Sequence, residues 1–98
     1  MAVLHIALES GFSGDEVVVA VDGKEVLHEA LSTRMQIGLA EEVHVPVEPG
    51  RHTVSVSARG TAADVEVEVD DEQYLGLSLS RSGDAFEHRV GPKPFGYL

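Results

Sequence analysis

Apolar residues alternate with polar ones in segment after segment, the period-two spacing that lays one face of a strand on a core and the other in water. Leu4, Ile6 and Leu8 form the first set, and Val17, Val19 and Val21 the second. Asp22-Gly23 follows at once, a dipeptide suited to a type I′ turn because that turn needs positive φ, and Val26 lies on the return strand. From Thr33 to Leu39 the alternation of Met35, Ile37 and Leu39 predicts another strand, while Ser32 and the helix formers after it allow one helical turn.

The clearest alternation runs from Val43 to Leu79, and it predicts strands over 43–47, 51–58, 63–70 and 74–81. Pro49-Gly50 between the first two suits a type II turn, Arg59-Gly60-Thr61-Ala62 makes the second connection, and Asp70-Asp71-Glu72-Gln73 the third. Ser82-Gly83-Asp84 then turns the chain into a last strand from Phe86 to Val90. The expected fold is all-β: a two-sheet antiparallel β-sandwich, immunoglobulin-like or jelly-roll-like, of about 8–9 short strands. Residues 1–91 form its single domain, and 92–98 a tail rich in proline and aromatic residues.

Apolar matching sets a register. A turn at Pro49-Gly50 places Val45 opposite Val54 and Val43 opposite Val56. A turn at Gly60-Thr61 places Val56 opposite Val65 and Val54 opposite Val67. Matching Val65 to Leu79 and Val67 to Leu77 completes a four-stranded meander in one sheet. On its outward face Thr53, Ser55 and Ser57 then lie beside Glu68, Glu66 and Asp64, with Ser78 and Ser80 beyond and His44 on the far side. Arg51 falls opposite Asp70. This flat polar surface, with His44, Thr53, Ser55, Ser57, Glu66, Glu68 and Ser78 as its candidate contacts, suits docking by a protein partner or a second copy.

The 98 residues suffice for one core, and 43% of them are hydrophobic, so the chain is expected to fold as one globular unit. Seventeen acidic residues against seven basic ones give a formal charge of −10, which disfavours nucleic acid as a partner. No stretch is apolar enough for membrane insertion, and with no basic, apolar leader at the amino terminus a cytoplasmic location is expected, or an extracytoplasmic one if a leader has been trimmed. Cysteine is absent, which removes disulfides and thiolate chemistry.

Catalytic patterns are poorly met. The row His44, Ser55, Glu66 puts serine in the middle, where a triad needs histidine, and Gly-x-Ser-x-Gly does not occur. The five histidines show neither His-x-His nor His-x-x-x-His spacing; His44 points outward, His52 lies on the core face beside Val47, and His28 falls opposite Val17. Asp64, Glu66, Glu68 and Asp70 line one strand face about 7 Å apart, too straight a row to converge on calcium. The turn residues Asp70, Asp71 and Glu72 are the better candidates for a weakly held cation. The tail, through Phe95, Tyr97 and Leu98, is expected to dock on its own sandwich or on a neighbouring subunit.

Val17-Val-Val-Ala-Val-Asp-Gly-Lys-Glu25 and the later Val47-Glu-Pro-Gly-Arg-His-Thr-Val-Ser-Val56 resemble the PEGA-like group of small β-sandwich modules, over roughly residues 15–60. Ser32-Thr33-Arg34 stands where that group often has Thr-Pro, and Thr61 where it has tyrosine. The resemblance implies an accessory or structural module, often outside the cytoplasm. The functional expectation is a non-enzymatic binding or assembly module that needs no cofactor and acts through the flat sheet, an edge strand or the tail. The alternative is a small metal-dependent or carbohydrate-binding protein using His44 or His52 with nearby carboxylates.

Overall fold

The computed structural model describes residues 2–34, 38–80 and 82–95. It contains eight strands: β1 (Ala2–Leu8), β2 (Ser13–Val21), β3 (Lys24–Ser32), β4 (Glu41–Val47), β5 (Gly50–Ala58), β6 (Thr61–Val69), β7 (Glu72–Leu79) and β8 (Phe86–Gly91). Two four-stranded sheets face each other, the first in the order β4-β1-β7-β8 and the second β3-β2-β5-β6. The all-β sandwich expected from the alternation is therefore present, and the four strands predicted between 43 and 81 lie within two residues of their observed ends. The expected strand at Thr33–Leu39 is replaced, among the described residues, by a single bridge between Arg34 and Leu39; Met35 and Ile37 lie outside the described residues.

The expected meander is wrong. β4 pairs with β1, not β5, and β7 pairs with β1 and β8, not β6, so the connections at Glu48-Pro49 and Asp70-Asp71 cross from one sheet to the other. A sheet-crossing corner and a hairpin both return the inward residues to the core, so alternation alone does not separate them. Gly50, at φ 135°, is more extended than a type II turn requires. Nor is the sandwich wholly antiparallel: β1 and β7 run parallel, Ile6 beside Leu75 and Leu8 beside Leu77. The order also differs from the immunoglobulin arrangement, which puts the first and second strands in one sheet.

Two hairpin registers are corrected by local backbone. The second turn is Arg59-Gly60, both with positive φ (53° and 74°), so Val54 faces Val65 and Val56 faces Ala63. This is a slip of two, which preserves which residues face inward. The slip places Thr53 opposite Glu66, Ser55 opposite Asp64, and Arg51 opposite Glu68 instead of Asp70. In the first hairpin Asp22 and Gly23 take φ of 52° and 84°, as a type I′ turn requires, but a bulge at Val26 shifts the register beyond it. His28 consequently faces Val18 instead of Val17 and points outward, beside Glu16 and Glu25.

Leu4, Ile6 and Leu8 of β1 and Leu75 and Leu77 of β7 are wholly buried against Val17 and Val19 of β2 and Val54 and Val56 of β5. β1 and β7 are also covered on their outer faces, where Ala7 and Gly76 are buried, as expected of a parallel pair inside a sheet. The loop leaving β1 continues this pairing, with Glu9 N–H donating to Leu77 O at 2.7 Å and Leu79 N–H donating to Ser10 O at 2.9 Å.

Gly11 lies so close to β7 that a Cβ would come within 1.9 Å of Leu79 O, and its φ is 94°. Gly60 also has positive φ but open space around its Cβ position. Gly11→Ala is expected to lower the unfolding free energy by about 3 kcal/mol or more, and Gly60→Ala by about 1 kcal/mol, in urea denaturation. Equal effects would mean that backbone conformation alone, not the approach to Leu79, governs the site.

Candidate functional site

The two outer faces of the sandwich carry different chemistry, and the predicted surface residues divide between them. Thr53, Ser55 and Ser57 on β5 and Glu66 and Glu68 on β6 share the outer face of the second sheet, whereas His44 on β4 and Ser78 on β7 belong to the first. His44 and Ser55 thus lie on different sheets, so the His44-Ser55-Glu66 row does not exist. Asp70 and Asp71 are exposed in a corner, while Glu72 is drawn away toward His5. Among the described residues, no three histidine or carboxylate side chains converge as a metal cage.

On the first sheet, register places His44, His5 and Tyr74 side by side across β4, β1 and β7. His5 Nδ1 and His44 Nδ1 are 2.7 Å apart, and His5 Nε2 is 2.9 Å from Glu72 Oε1. The His5 ring stacks on Tyr74 at 4.3 Å with an interplanar angle of 10°. Burial first, and then the Glu72 carboxylate, raise the Tyr74 hydroxyl pKa. Beside this row is a cleft of about 50 Å³, bounded by Glu42, His5 and Tyr74 and by Pro94 and Phe95 of the tail, with space for only a few water-sized groups. His5 was not among the expected site residues; its alternation with Leu4 and Ile6 marked it as outward without indicating its neighbours.

Farther along the same face, Glu9 is nearly buried over Gly76 and receives two hydrogen bonds from Arg89, Nη2 to Oε2 at 2.6 Å and Nε to Oε1 at 3.2 Å. The Phe95 ring covers the Arg89 guanidinium at 4.1 Å, a cation–π contact. Tyr97 and Leu98 lie outside the described residues.

His52 is largely buried, as expected, near the start of β5, and it joins two turns. Its Nδ1 donates to Asp22 Oδ2 at 2.5 Å and its Nε2 to Glu48 O at 2.6 Å, while Asp22 Oδ1 accepts from Thr53 N at 2.8 Å. The Asp-Gly-Lys and Pro-Gly-x-His segments are therefore connected through Asp22 and His52. Two acceptors on one imidazole favour the charged ring. The Asp22 hydrogen bond foremost, then the Glu48 carbonyl, raise the His52 pKa above its ordinary 6.5, and the same His52 bond lowers that of Asp22 below 3.8.

The four sheet edges are not equally protected. β3 carries the Val26 bulge and directs Glu29, the partner of Val17, toward the sandwich opening; β4 contains Pro46; and β8 has only six residues before Pro92. β6 runs nine residues in unbroken register with β5, and among the described residues no strand pairs with its other edge. Its outward Asp64, Glu66 and Glu68 are exposed. Across the sandwich, β8 lies against β6, and Val90, on the inward side with Leu75, remains 44% exposed.

His52 contributes stability fully at pH values below its unfolded pKa and loses that contribution as pH rises through its raised folded value; Asp22 contributes above its unfolded value and loses that as pH falls through its depressed one. The stabilisation relative to His52→Gln should therefore be largest between about pH 4 and 6.5 and shrink above that range. With Asp22 half-exposed, the difference near pH 5.5 should be about 1 kcal/mol. Thermal melts of both proteins across pH check this, and a constant difference would contradict it.

Comparison with family models, curated proteins and solved structures returns no match to this chain.

Proposed function

We propose that this chain is a non-enzymatic binding module that takes an extended, basic segment of a protein partner as a fifth strand of the second sheet, beside β6. The observation that carries this reading is the half-exposed Val90, an inward-facing side chain of the edge strand β8, which lies against the edge strand β6, itself without a bulge or proline and, among the described residues, without a strand beyond it. A strand added to β6 gains main-chain hydrogen bonds along the edge and covers Val90 with its inward residues. Its outward residues lie beside Asp64, Glu66 and Glu68, so lysine or arginine at every second position is favoured across the pair.

The acidic row also selects against self-pairing, because two β6 edges would set carboxylate beside carboxylate. The serine- and threonine-rich face of β5 extends the polar surface, and its one cation, Arg51, lies 3.7 Å from Glu68 at one end of the row, leaving Asp64 and Glu66 as the main attraction for a basic segment. The described part of the tail, with Phe95 on Arg89, is read as docked on its own sandwich and so leaves the β6 edge clear.

A short labelled peptide alternating lysine and valine should bind in fluorescence anisotropy, more weakly as salt rises, whereas the same residues in two blocks should not. Glu66→Lys with Glu68→Lys should weaken binding about tenfold, and Val90→Ser severalfold. Amide shifts should concentrate in β6 and β8. Binding that ignores all three substitutions, or shifts confined to other strands, would overturn this assignment.

A further inference from the structure

We infer that His5 and His44 form a two-imidazole site for a divalent late transition metal such as zinc, nickel or copper. The two rings meet edge-on, their planes 73° apart, from directly paired positions on β1 and β4, with their Nδ1 atoms 2.7 Å apart. At that distance one Nδ1 must carry the proton and the other accept it. With His5 neutral and its Nε2 donating to the Glu72 carboxylate at 2.9 Å, His5 Nδ1 is the lone-pair partner and the shared proton sits on His44 Nδ1.

A metal ion replaces that proton without other rearrangement of the sheet. Zinc–nitrogen bonds of about 2.0–2.1 Å at a tetrahedral angle require the two Nδ1 atoms about 3.3 Å apart, so they need separate by only about half an ångström. His44 is on an edge strand with its side chain 58% exposed, and so has room to swing. Its displaced proton passes to Nε2, which lies 3.8 Å from Glu42 Oε2. Each imidazole then has a carboxylate behind its non-ligating nitrogen, Glu72 for His5 and Glu42 for His44, the outer arrangement that orients metal-binding histidines. Stacking on Tyr74 fixes the plane of the His5 ring.

The protein supplies two ligands and solvent the others, which makes an open site suited to nitrogen-loving cations and unsuited to calcium or magnesium. Glu72 and Glu42 are positioning residues, since they act through the imidazoles.

Calorimetric titration of the full chain with zinc chloride, and separately with nickel chloride, should show one saturable site. His5→Gln and His44→Gln should each weaken it at least tenfold, Glu72→Gln about tenfold, and His28→Gln not at all. His44→Gln, at an exposed edge, decides the outcome if His5→Gln fails to fold. The chain has no tryptophan and its two tyrosines are Tyr74 and Tyr97, so in a Tyr97→Phe background copper(II) should quench Tyr74 fluorescence with the same dependence on His5 and His44. Absence of saturable binding, undiminished binding in His44→Gln, or loss only in His28→Gln would overturn the assignment.

Discussion

β1 is the strand on which the rest of the molecule depends. It lies between β4, which it pairs antiparallel, and β7, which it pairs parallel, and its Leu4, Ile6 and Leu8 form the centre of the core. These pairings bring together segments some forty and seventy residues apart, so their loop-closure entropy must be repaid by burial on both faces of the sheet. They also draw β4 and β7 away from β5 and β6, their neighbours in sequence. The histidine row exists only because β1 separates His44 from Tyr74 with His5 between them.

The strands and their inward faces were legible in the sequence because period two survives any arrangement that keeps valines on a core. The partition into sheets was not. Pro49-Gly50 and Asp70-Asp71 carry ordinary turn chemistry, and nothing local distinguishes a reversal within a sheet from a step to the opposite one. A hint lay in Ala7 and Gly76, small residues at outward positions where a surface strand more often has a polar side chain. The Arg59-Gly60 turn was obscured for a different reason: a left-handed arginine is unfavourable by itself, and here Asp15 holds it in place with two hydrogen bonds from the guanidinium, at 2.8 and 2.9 Å.

Candidate residues divided along the same line. Glu66 and Glu68 face outward in either register because a slip of two preserves facing, whereas His44 and Ser78 lie on the other sheet because β4 and β7 pair with β1. His52 stayed near the core edge, but its two acceptors come from separate turns and could not be inferred from spacing. The excess acidity also acquires a distribution. Some carboxylates are engaged by Arg59, Arg89, Arg51, His28 or His52, while Asp64 and Glu66 on β6 have no such cationic partner among the described residues. Glu29, whose carboxyl is pushed up first by its hydrogen bond with Glu41, and Asp70 and Asp71 in the corner are likewise outside these ion pairs, so the acidity is spread over several surfaces, β6 among them.

Gly76 has a consequence for how this chain can vary over time. A Cβ there would lie 2.5 Å from Glu9 Oε1, so any larger residue displaces the carboxylate that receives Arg89, and with it the guanidinium beneath Phe95. Four positions from β1's exit, β7, β8 and the tail are therefore tied into one heritable unit. Descendants of this sequence can exchange the set together, for instance by shortening residue 9 as residue 76 grows, but drift at one member alone leaves a charge stranded on the outer face.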